Sequence, residues 1–365
     1  MDWNYQQPVR LIFGNGRVNE VQRLLAGSRR PLLVCDPSAV KNKTADRILA
    51  MHDHMEVFSG VSPNPDVTEV NRCSAIVREK KIDHIIAMGG GSVMDLAKAA
   101  SAAVQYIEEY HGTGKPIPEI TIPLTAVPTT AGTGSEVTCV AVLTDRACGK
   151  KAPINSDFFY PKTAVIDPEL TLTLPPQVTA SCGIDVLCHA VEGYWSRGHQ
   201  PICSALAVCA IRTVFRYLPT AYRQPENLAA REKMAEASVL AGLAFTLPKT
   251  TSSHACSFPL TSRYGIPHGE ACGLTLDYFI RLNTGDSRTR ELADLLGYDS
   301  VGDFADAVLA LKRELHLRTN LKDLRLSEEE IRELAEASHH PNLDNNPVKV
   351  SHRDLEWLYQ SLCES

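Results

Sequence analysis

Short apolar runs alternate with helix-patterned segments through the first half of the chain. The runs at 9–13, 31–36 and 82–88 have the length and composition of β-strands, and Asp66 stands before an amphipathic segment at 67–80, where it can cap a helix. Strands joined by helices in this way are typical of a parallel sheet with crossover helices. The first half therefore predicts an α/β domain.

The pattern changes after the two prolines at 175–176. Segments such as 202–217 and 228–245 have helical periodicity and follow one another without strand-like alternation. We therefore expect two domains, an α/β domain over 1–176 and an all-helical domain over 177–365. A chain of 365 residues is long enough for both.

Charge and composition narrow the class of protein. The chain is 44% hydrophobic and 22% charged, has a net charge of −6, and lacks the basic tract that binding to nucleic acid requires. It shows no signal-peptide pattern, and no apolar stretch approaches the roughly 18 residues of a membrane span. Eleven scattered cysteines without a C-x-x-C pair predict reduced thiols. We expect a cytoplasmic protein with no nucleic-acid or membrane partner.

A run of glycines follows the strand at 82–88 and opens a helix. The residues GGGSVMD at 89–95 lack the G-x-G-x-x-G order, but glycines at a helix N-terminus let backbone N–H groups approach a phosphate. A simple tight turn would explain the same glycines. Asp36, after the second strand, can accept hydrogen bonds from an adenosine ribose and repel a 2′-phosphate, which favours NAD over NADP. An acid at a strand end is also a common helix cap.

A second polar segment, PTTAGTGSEVT at 128–138, contains five hydroxyl side chains and two glycines. Such a segment can wrap a dinucleotide with hydrogen-bond donors and close backbone contacts, or form an ordinary turn.

A metal site is suggested by spacing in the helical half. Asp185 and His189 are four residues apart, so both side chains project from one face of a helix and can bind one ion. His254 and His268 could complete a site of three imidazoles and one carboxylate, although a D-x-x-x-H pair also arises by chance. Cys182 and Cys188 flank the pair, and either could touch the site.

These motifs, in this order, resemble the iron-containing alcohol dehydrogenase family along nearly the whole chain. The matching segments are FGNG at 13–16, GGGS at 89–92, PTTAGTGSE at 128–136, DPELT at 167–171, Asp185 with His189, and PHG at 267–269. The resemblance implies a dinucleotide-binding α/β domain followed by a helical domain, the architecture shared with dehydroquinate synthase. It also implies an NAD(P)-dependent alcohol dehydrogenase or aldehyde reductase, and we expect a homodimer.

The resemblance further implies a set of site residues. A divalent metal would be bound by Asp185, His189, His254 and His268, and no catalytic residue is assigned beyond these ligands. Iron(II) is the metal that the family implies, and zinc suits the same ligands. The cofactor would be NAD(H), preferred over NADP(H), contacted by Asp36, Gly90, Gly91, Ser92, Asp95, Thr129, Thr130, Thr133, Ser135 and Lys151.

One position departs from the family pattern. Many members carry a histidine four residues after the third metal ligand, where this chain has Phe258. A proton relay through that position is impossible here, because a phenyl ring carries no exchangeable proton. Protonation would come through water, a cofactor hydroxyl or another side chain, with Tyr264 and His352 as candidates.

The segment before His254 bears on the substrate. LPKTTSSH at 247–254 and SFPLT at 257–261 resemble the phosphonoacetaldehyde reductase branch of the family, which reduces phosphonoacetaldehyde to 2-hydroxyethylphosphonate. A dianionic head group needs a cation and hydroxyl donors close together. We expect substrate contacts from Lys249, Thr250, Thr251 and Arg263, although Lys249 could instead extend into solvent.

Three alternatives stay open. A reductase of a neutral short alcohol, diol or aldehyde would share every motif except the Lys249 segment. The related dehydroquinate synthases and glycerol dehydrogenases also use a metal and NAD, but the loop at 129–136 matches the alcohol dehydrogenases better. A non-enzymatic structural or filament-forming protein is disfavoured by four intact metal ligands beside a full set of cofactor motifs.

Overall fold

A computed structural model of the protein describes residues 3–119 and 121–364. Within these residues the chain forms two compact units. One contains 6–130 and 134–172, and the other contains 173–364 together with 131–133 and 3–5. The expected boundary between residues 176 and 177 stays a prediction.

The first unit is an α/β unit built on a parallel sheet. Its strands are β1 Arg10–Phe13, β2 Pro31–Cys35, β3 Glu56–Phe58, β4 His84–Gly89, β5 Leu124–Pro128, β6 Val140–Asp145, β7 Lys150–Asn155 and β8 Thr163–Ile166. Its helices are α1 Glu20–Leu24, α2 Pro37–Lys41, α3 Asp46–Leu49, α4 Val67–Glu79 and α5 Gly91–Ser101. Among the described residues, six strands pair in parallel in the order β1-β8-β5-β4-β2-β3, while β6 and β7 form an antiparallel hairpin.

The sequence pattern explains this sheet. Every residue of β2 and β5 is buried, as expected for central parallel strands covered on both faces. The strands predicted at 9–13, 31–36 and 82–88 are confirmed as β1, β2 and β4, and Asp66 caps α4 by accepting a hydrogen bond of 2.9 Å from Thr68 N. The predicted α/β domain is therefore confirmed.

The second unit is helical. Its helices are α6 Pro176–Trp195, α7 Pro201–Arg223, α8 Leu228–Phe245, α9 Ser252–Tyr264, α10 His268–Leu282, α11 Ser287–Leu296, α12 Val301–Glu314, α13 Glu328–Ala337 and α14 His352–Glu364. One continuous apolar core, from Ala180 to Leu362, joins them. The long helices predicted at 202–217 and 228–245 correspond to α7 and α8.

Helix α7 is long and apolar enough, by length and composition, to cross a membrane, with a mean hydropathy of 1.4 over 18 residues. The sequence pattern did not suggest this, because Arg212 and Arg216 interrupt its apolar run. A single helix of this kind is weak evidence, since a core helix of a soluble protein passes the same test. In this unit Ile211, Val214 and Leu218 of α7 are fully buried in the helical core.

Two glycines of α10 allow it to lie directly on α6. A Cβ atom at Gly269 would lie 2.0 Å from the backbone oxygen of Ser181 and 2.8 Å from Cβ of Asp185. A Cβ atom at Gly273 would lie 2.6 Å from Cγ1 of Ile184. The close approach of the two helices therefore depends on the absence of side chains at these positions, and it brings His268, the first residue of α10, to α6.

We predict that Gly269→Ala destabilises the protein. The added methyl group would meet backbone, which cannot rotate away, so α10 must shift, and overpacking of this kind costs about 1–3 kcal/mol. Thermal unfolding followed by circular dichroism should show a Tm lower by several degrees. Gly285→Ala is the matched control, because a Cβ atom at Gly285 would meet nothing within 4 Å. An unchanged Tm for Gly269→Ala would contradict the close contact.

Candidate active site

Helix α6 carries two acidic residues and one histidine of the site on one face. Asp185, His189 and Glu192 are four and three residues apart, so their side chains project from the same side of the helix. They are 2%, 5% and 0% exposed. Carboxylates are rarely buried unless a partner compensates their charge, so this face needs cationic or donor partners.

Two other helices bring histidines to this face. His254 Nε2, from α9, lies 3.6 Å from Asp185 Oδ1, and His189 Nδ1 lies 3.9 Å from the same oxygen. The ring of His254 lies 4.5 Å from that of His189 and 5.5 Å from that of His268, centroid to centroid. All four residues that the spacing pointed to are therefore brought together within the helical unit.

Three polar atoms at the centre of this cluster make no hydrogen bond to any described residue. They are Asp185 Oδ1, His189 Nδ1 and His254 Nε2, and each is buried. An unsatisfied buried polar group costs about 1–3 kcal/mol, so three that converge at one point indicate a missing partner. A carboxylate oxygen and imidazole nitrogens are donors that a divalent transition metal accepts, and the residues present fit such an ion.

The charges of the cluster suit a cation. Burial lowers the pKa of His189 to about 4, against the opposite effect of Asp185, so its ring is neutral at pH 7. Burial raises the pKa of Asp185, but the surrounding histidines, His189 foremost, outweigh this and hold it well below its usual value. A neutral imidazole beside an ionised carboxylate is the protonation state in which both groups bind a metal.

Glu192 is the residue that sequence reasoning missed. Its carboxylate accepts a hydrogen bond from the ring Nδ1 of His254, a second of 2.6 Å from Ser253 N, and a third of 2.9 Å from Thr251 Oγ1. A carboxylate that accepts the Nδ1 proton leaves the Nε2 lone pair of His254 directed towards Asp185. The signal was present, since Glu192 lies seven residues after Asp185 on the same helix face.

Cys272 also lies at the site. Its Sγ atom is 3.9 Å from His268 Nε2, and it belongs with Asp185, His254 and His268 to a group whose donor atoms all lie within 4.8 Å of one another. Burial raises the pKa of Cys272, so the thiol stays protonated. The sequence directed attention to Cys182 and Cys188, whereas Cys272 follows His268 by four residues on α10.

Phe258 occupies the position where many members of the resembled family carry a histidine. Its ring is nearly parallel to that of His268, at 11° and 6.3 Å between centroids, and lies 4.7 Å from the ring of His340. Tyr264 is the last residue of α9, and His352 lies at the start of α14 beside His339. Both candidates for proton transfer thus lie at helix ends, outside the group of four residues.

The glycine-rich segment of the α/β unit joins β4 directly to α5. Gly90 caps the helix and Gly91 is its first residue, while a Cβ atom at Gly90 would lie 3.3 Å from Thr130 Oγ1. The start of α5 thus lies beside the threonine segment, and backbone N–H groups at a helix start favour an anion such as a phosphate.

Ser92 and Lys151, two of the residues predicted to contact the cofactor, are linked through Asn64. Its backbone N–H donates to Ser92 Oγ at 3.2 Å, and Lys151 Nζ donates to its side-chain oxygen at 2.8 Å. Asn64 has a φ of 53°, a left-handed conformation that asparagine tolerates. Lys151 and Ser92 therefore both contact Asn64, while their contacts with the cofactor stay a prediction.

Asp95 and Ser135 form a buried network with Lys98. Asp95 accepts hydrogen bonds from Ser135 Oγ at 2.7 Å and from Val142 N at 3.0 Å, and Lys98 Nζ donates to Ser135 Oγ at 2.7 Å. Burial lowers the pKa of Lys98 to about 8. These contacts tie α5 to the segment Ser135–Val137 and to β6.

The remaining cofactor candidates have distinct positions. Asp36 caps α2, its Oδ1 accepting hydrogen bonds from Ser38 N at 2.8 Å and Ala39 N at 3.1 Å. Thr129 N donates to Gly89 O at 3.0 Å, which ties β5 to β4. Thr133 lies in the stretch that groups with the helical unit.

The residues expected to contact substrate lie before and within α9. Lys249 is exposed and has a φ of 67°, and Thr250 Oγ1 accepts a hydrogen bond of 2.8 Å from Asn342. Thr251 Oγ1 accepts from Trp195 Nε1 and donates to Glu192, so its one proton is used within the fold. Arg263 lies 3.4 Å from Glu333 in an exposed ion pair.

The fold and the site define a metal-dependent, dinucleotide-linked dehydrogenase. Residues 8–168 match the family model of the iron-containing alcohol dehydrogenases, and residues 179–363 match the model of the C-terminal part of the same family. The chain belongs to the iron-containing alcohol dehydrogenase family. It is therefore an NAD-linked alcohol or aldehyde dehydrogenase, with a divalent metal as second cofactor.

Several known proteins and solved structures are similar to this chain over most of its length. A crystal structure of sulfoacetaldehyde reductase from Bifidobacterium kashiwanohense in complex with NAD+ is 52% identical, with a TM-score of 0.97 and full coverage of both chains. A 1,3-propanediol oxidoreductase structure is 32% identical, with a TM-score of 0.91, over 99% of this chain and 100% of that one. Alcohol dehydrogenase 4 of Schizosaccharomyces pombe is 32% identical over 96% of this chain and 86% of its own length.

We predict that Glu192→Gln weakens metal binding. The amide keeps the volume of the side chain but is a poorer acceptor for the His254 ring N–H, and substitutions of such outer partners typically cost 10- to 100-fold in metal affinity. Competition with a chelator should therefore give a metal Kd raised by about that factor.

Glu236→Gln serves as the control for Glu192→Gln. Glu236 is a half-exposed residue of α8 that pairs with Lys233, so this change should leave the metal Kd unaltered. Equal metal Kd values for Glu192→Gln and the unmodified enzyme would mean that Glu192 does not orient His254.

Proposed function

We propose that Asp185, His189, His254 and His268 hold the catalytic divalent metal of this enzyme. The observation that carries the proposal is the convergence of three buried atoms without hydrogen-bond partners among the described residues, one carboxylate oxygen and two imidazole nitrogens. One carboxylate and three imidazoles suit iron(II), which the family name implies, and suit zinc equally. When bound, the metal supplies Lewis acidity towards a carbonyl oxygen and NADH supplies the hydride.

The chain's own residues prepare the site. Glu192 fixes the orientation of His254, and the Phe245 ring, stacked at 4.2 Å on His189, holds that imidazole in position and excludes water from one of its faces. Phe258 cannot donate a proton. The proton that the alkoxide product needs comes from water, a cofactor hydroxyl or another side chain.

For the cofactor we propose NADH in preference to NADPH. Asp36 follows β2, where a carboxylate repels a 2′-phosphate. The pyrophosphate would lie at the start of α5, whose N–H groups and partial positive charge favour an anion. The residues assigned to the cofactor are Asp36, Gly90, Gly91, Ser92, Asp95, Thr129, Thr130, Thr133, Ser135 and Lys151. For Asp95 and Ser135 the contribution is indirect, through their network with Lys98.

For the substrate we propose a two-carbon aldehyde that carries an oxyacid anion, reduced to the corresponding 2-hydroxyethyl compound. The 52% identical relative over its full length is a sulfoacetaldehyde reductase, which favours the sulfonate. The sequence resemblance to the phosphonoacetaldehyde reductase branch favours the phosphonate. Both substrates present a tetrahedral oxyanion two carbons from the aldehyde oxygen, so the same cation can bind either.

Lys249 is the cation that we assign to this anion, with Thr250 as a neighbouring hydroxyl and Arg263 as a second positive charge. Lys249 stands five residues before His254, and its left-handed backbone follows a turn closed by Lys249 N and Phe245 O at 2.7 Å. A chain with a net charge of −6 repels an anion at long range, so recognition needs a local cation.

A neutral alcohol or aldehyde is the second candidate substrate. A 1,3-propanediol dehydrogenase of Klebsiella pneumoniae is 33% identical over 92% of both chains. Substrate charge separates the two proposals in a turnover screen of sulfoacetaldehyde, phosphonoacetaldehyde and propionaldehyde with NADH.

Homodimeric assembly and a cytoplasmic location remain expectations from the sequence.

We predict that Asp36→Gly shifts the cofactor preference towards NADPH. Glycine at a helix N-cap costs only a few tenths of a kcal/mol, so α2 should persist while the negative charge disappears. The measurement is the ratio of kcat/KM for NADH to that for NADPH, which should fall. Asp286→Gly, the same change at the N-cap of α11, should leave the ratio unaltered. A wild-type enzyme that prefers NADPH would refute this role of Asp36.

We predict that Lys249→Asn lowers kcat/KM for sulfoacetaldehyde and phosphonoacetaldehyde by about 10- to 100-fold. A charge-assisted hydrogen bond contributes about 1.5–3 kcal/mol, and each 1.4 kcal/mol is a factor of ten. Asparagine tolerates the φ of 67°, so the loop should keep its shape. Propionaldehyde, which carries no anion, should be reduced at an unchanged rate.

Lys43→Asn is the matched control for Lys249→Asn. Lys43 is another exposed lysine with a positive φ, 64°, and its loss should affect neither substrate class. Equal losses towards charged and neutral aldehydes in Lys249→Asn would refute charge recognition while leaving the metal and cofactor assignments intact.

A further inference from the structure

The end of α13 and the start of α14 bring together three metal-ligating side chains away from the active site. His339 Nε2 lies 3.1 Å from His352 Nδ1, and Glu336 Oε2 lies 3.8 Å from that same Nδ1. The three donor atoms all lie within 4.8 Å of one another. The ligand atoms of a tetrahedral zinc ion are about 3.3 Å apart, given bonds of about 2.0–2.1 Å. The spacing therefore matches the ligands of one cation.

The surroundings of His352 determine which of its ring nitrogens carries the proton. Its Nε2 atom lies 3.3 Å from Glu356 Oε1, one turn along α14. A carboxylate that accepts the proton of one ring nitrogen leaves a lone pair on the other, which is the tautomer that binds metals. The His339 and His352 rings stack at 16°, so their nitrogens are held 3.1 Å apart. At this distance the Nδ1 lone pair of His352 accepts a hydrogen bond from the Nε2–H tautomer of His339, or, when the His339 proton is on Nδ1, both facing nitrogens can bind one cation beside them.

These residues stand at both ends of one loop. Glu336 lies in the last turn of α13, His339 follows that helix by two residues, and His352 is the first residue of α14, so residues 338–351 form the loop that connects the two helices. Within this loop Asn342 donates to Thr250 Oγ1 at 2.8 Å and Asn345 donates to Pro248 O at 2.8 Å. A cation that joined the two ends would therefore close the loop that holds the segment around Lys249.

We propose that Glu336, His339 and His352 form a second, surface site for a borderline-soft divalent cation such as Zn²⁺, which fixes the loop 338–351. Two imidazoles and one carboxylate favour zinc, nickel or copper over magnesium and calcium. The fourth position faces solvent and takes water, since His352 and Glu336 are 41% and 77% exposed. His352, a candidate proton donor in the sequence, thus has a structural role.

Metal stoichiometry tests the proposal. Holoenzyme is dialysed to equilibrium against micromolar Zn²⁺, and bound metal is counted by mass spectrometry. We expect two divalent ions per chain in the wild type and one in His339→Asn and in His352→Gln. His316→Asn, a change at another exposed histidine of the helical unit, should keep two. One ion in the wild type, or two in both site variants, would overturn the proposal.

Limited proteolysis tests the effect on the loop. Zn²⁺ should slow cleavage within residues 338–351 of the wild-type holoenzyme at least several-fold, whereas Mg²⁺ at the same concentration should not. His352→Gln should be cleaved at the same rate with and without Zn²⁺. Cleavage that Zn²⁺ leaves unchanged in the wild type would refute the fixing of the loop. Both readouts are independent of turnover, so they stand whichever aldehyde the enzyme reduces.

Discussion

Asp185 and Glu192 hold two negative charges on one face of α6, where both carboxylates are buried beside the apolar core of the helical unit. Burying a carboxylate costs several kcal/mol unless a partner compensates it, and here the partners are the histidines of α6, α9 and α10. Glu192 is satisfied within the chain by His254, Ser253 and Thr251. Asp185 keeps one oxygen without a partner among the described residues, and this difference between the two carboxylates is the basis of the metal site that we propose.

The need to compensate these buried carboxylates also explains how the neighbouring helices pack around them. The glycines of α10 let it approach α6 closely enough for His268 to join the cluster, and the Trp195 indole and the Thr251 hydroxyl extend the hydrogen bonding around Glu192. Thr251 thus helps to hold Glu192 in position. The substrate contacts that we propose therefore involve Lys249 and Thr250, the two residues before Thr251, and not Thr251 itself.

Much of the fold and part of the candidate site can be predicted from the local spacing of residues in the sequence. The strands, the long helices, the cap at Asp66 and the pair Asp185 and His189 all follow from periodicity within a few turns of chain. Glu192 and Cys272 were missed because their roles arise from contacts between helices: Glu192 bonds to His254, 62 residues further along the chain, and Cys272 lies beside Asp185, which precedes it by 87 residues. Asp95 and Ser135 illustrate the same limit: their positions matched the family motif, but their bonds to Lys98 depend on the folding of β6 against α5.

The most direct test of this account is a crystal structure of the metal-loaded enzyme with anomalous scattering measured at the absorption edge of the bound metal. We expect a peak in the core of the helical unit, within bonding distance of Asp185 Oδ1 and of one nitrogen each of His189, His254 and His268. The His254 contact should be through Nε2, with Nδ1 still bonded to Glu192. A core peak bound by the Cys272 sulfur in place of His189, or no metal between these four residues, would contradict it.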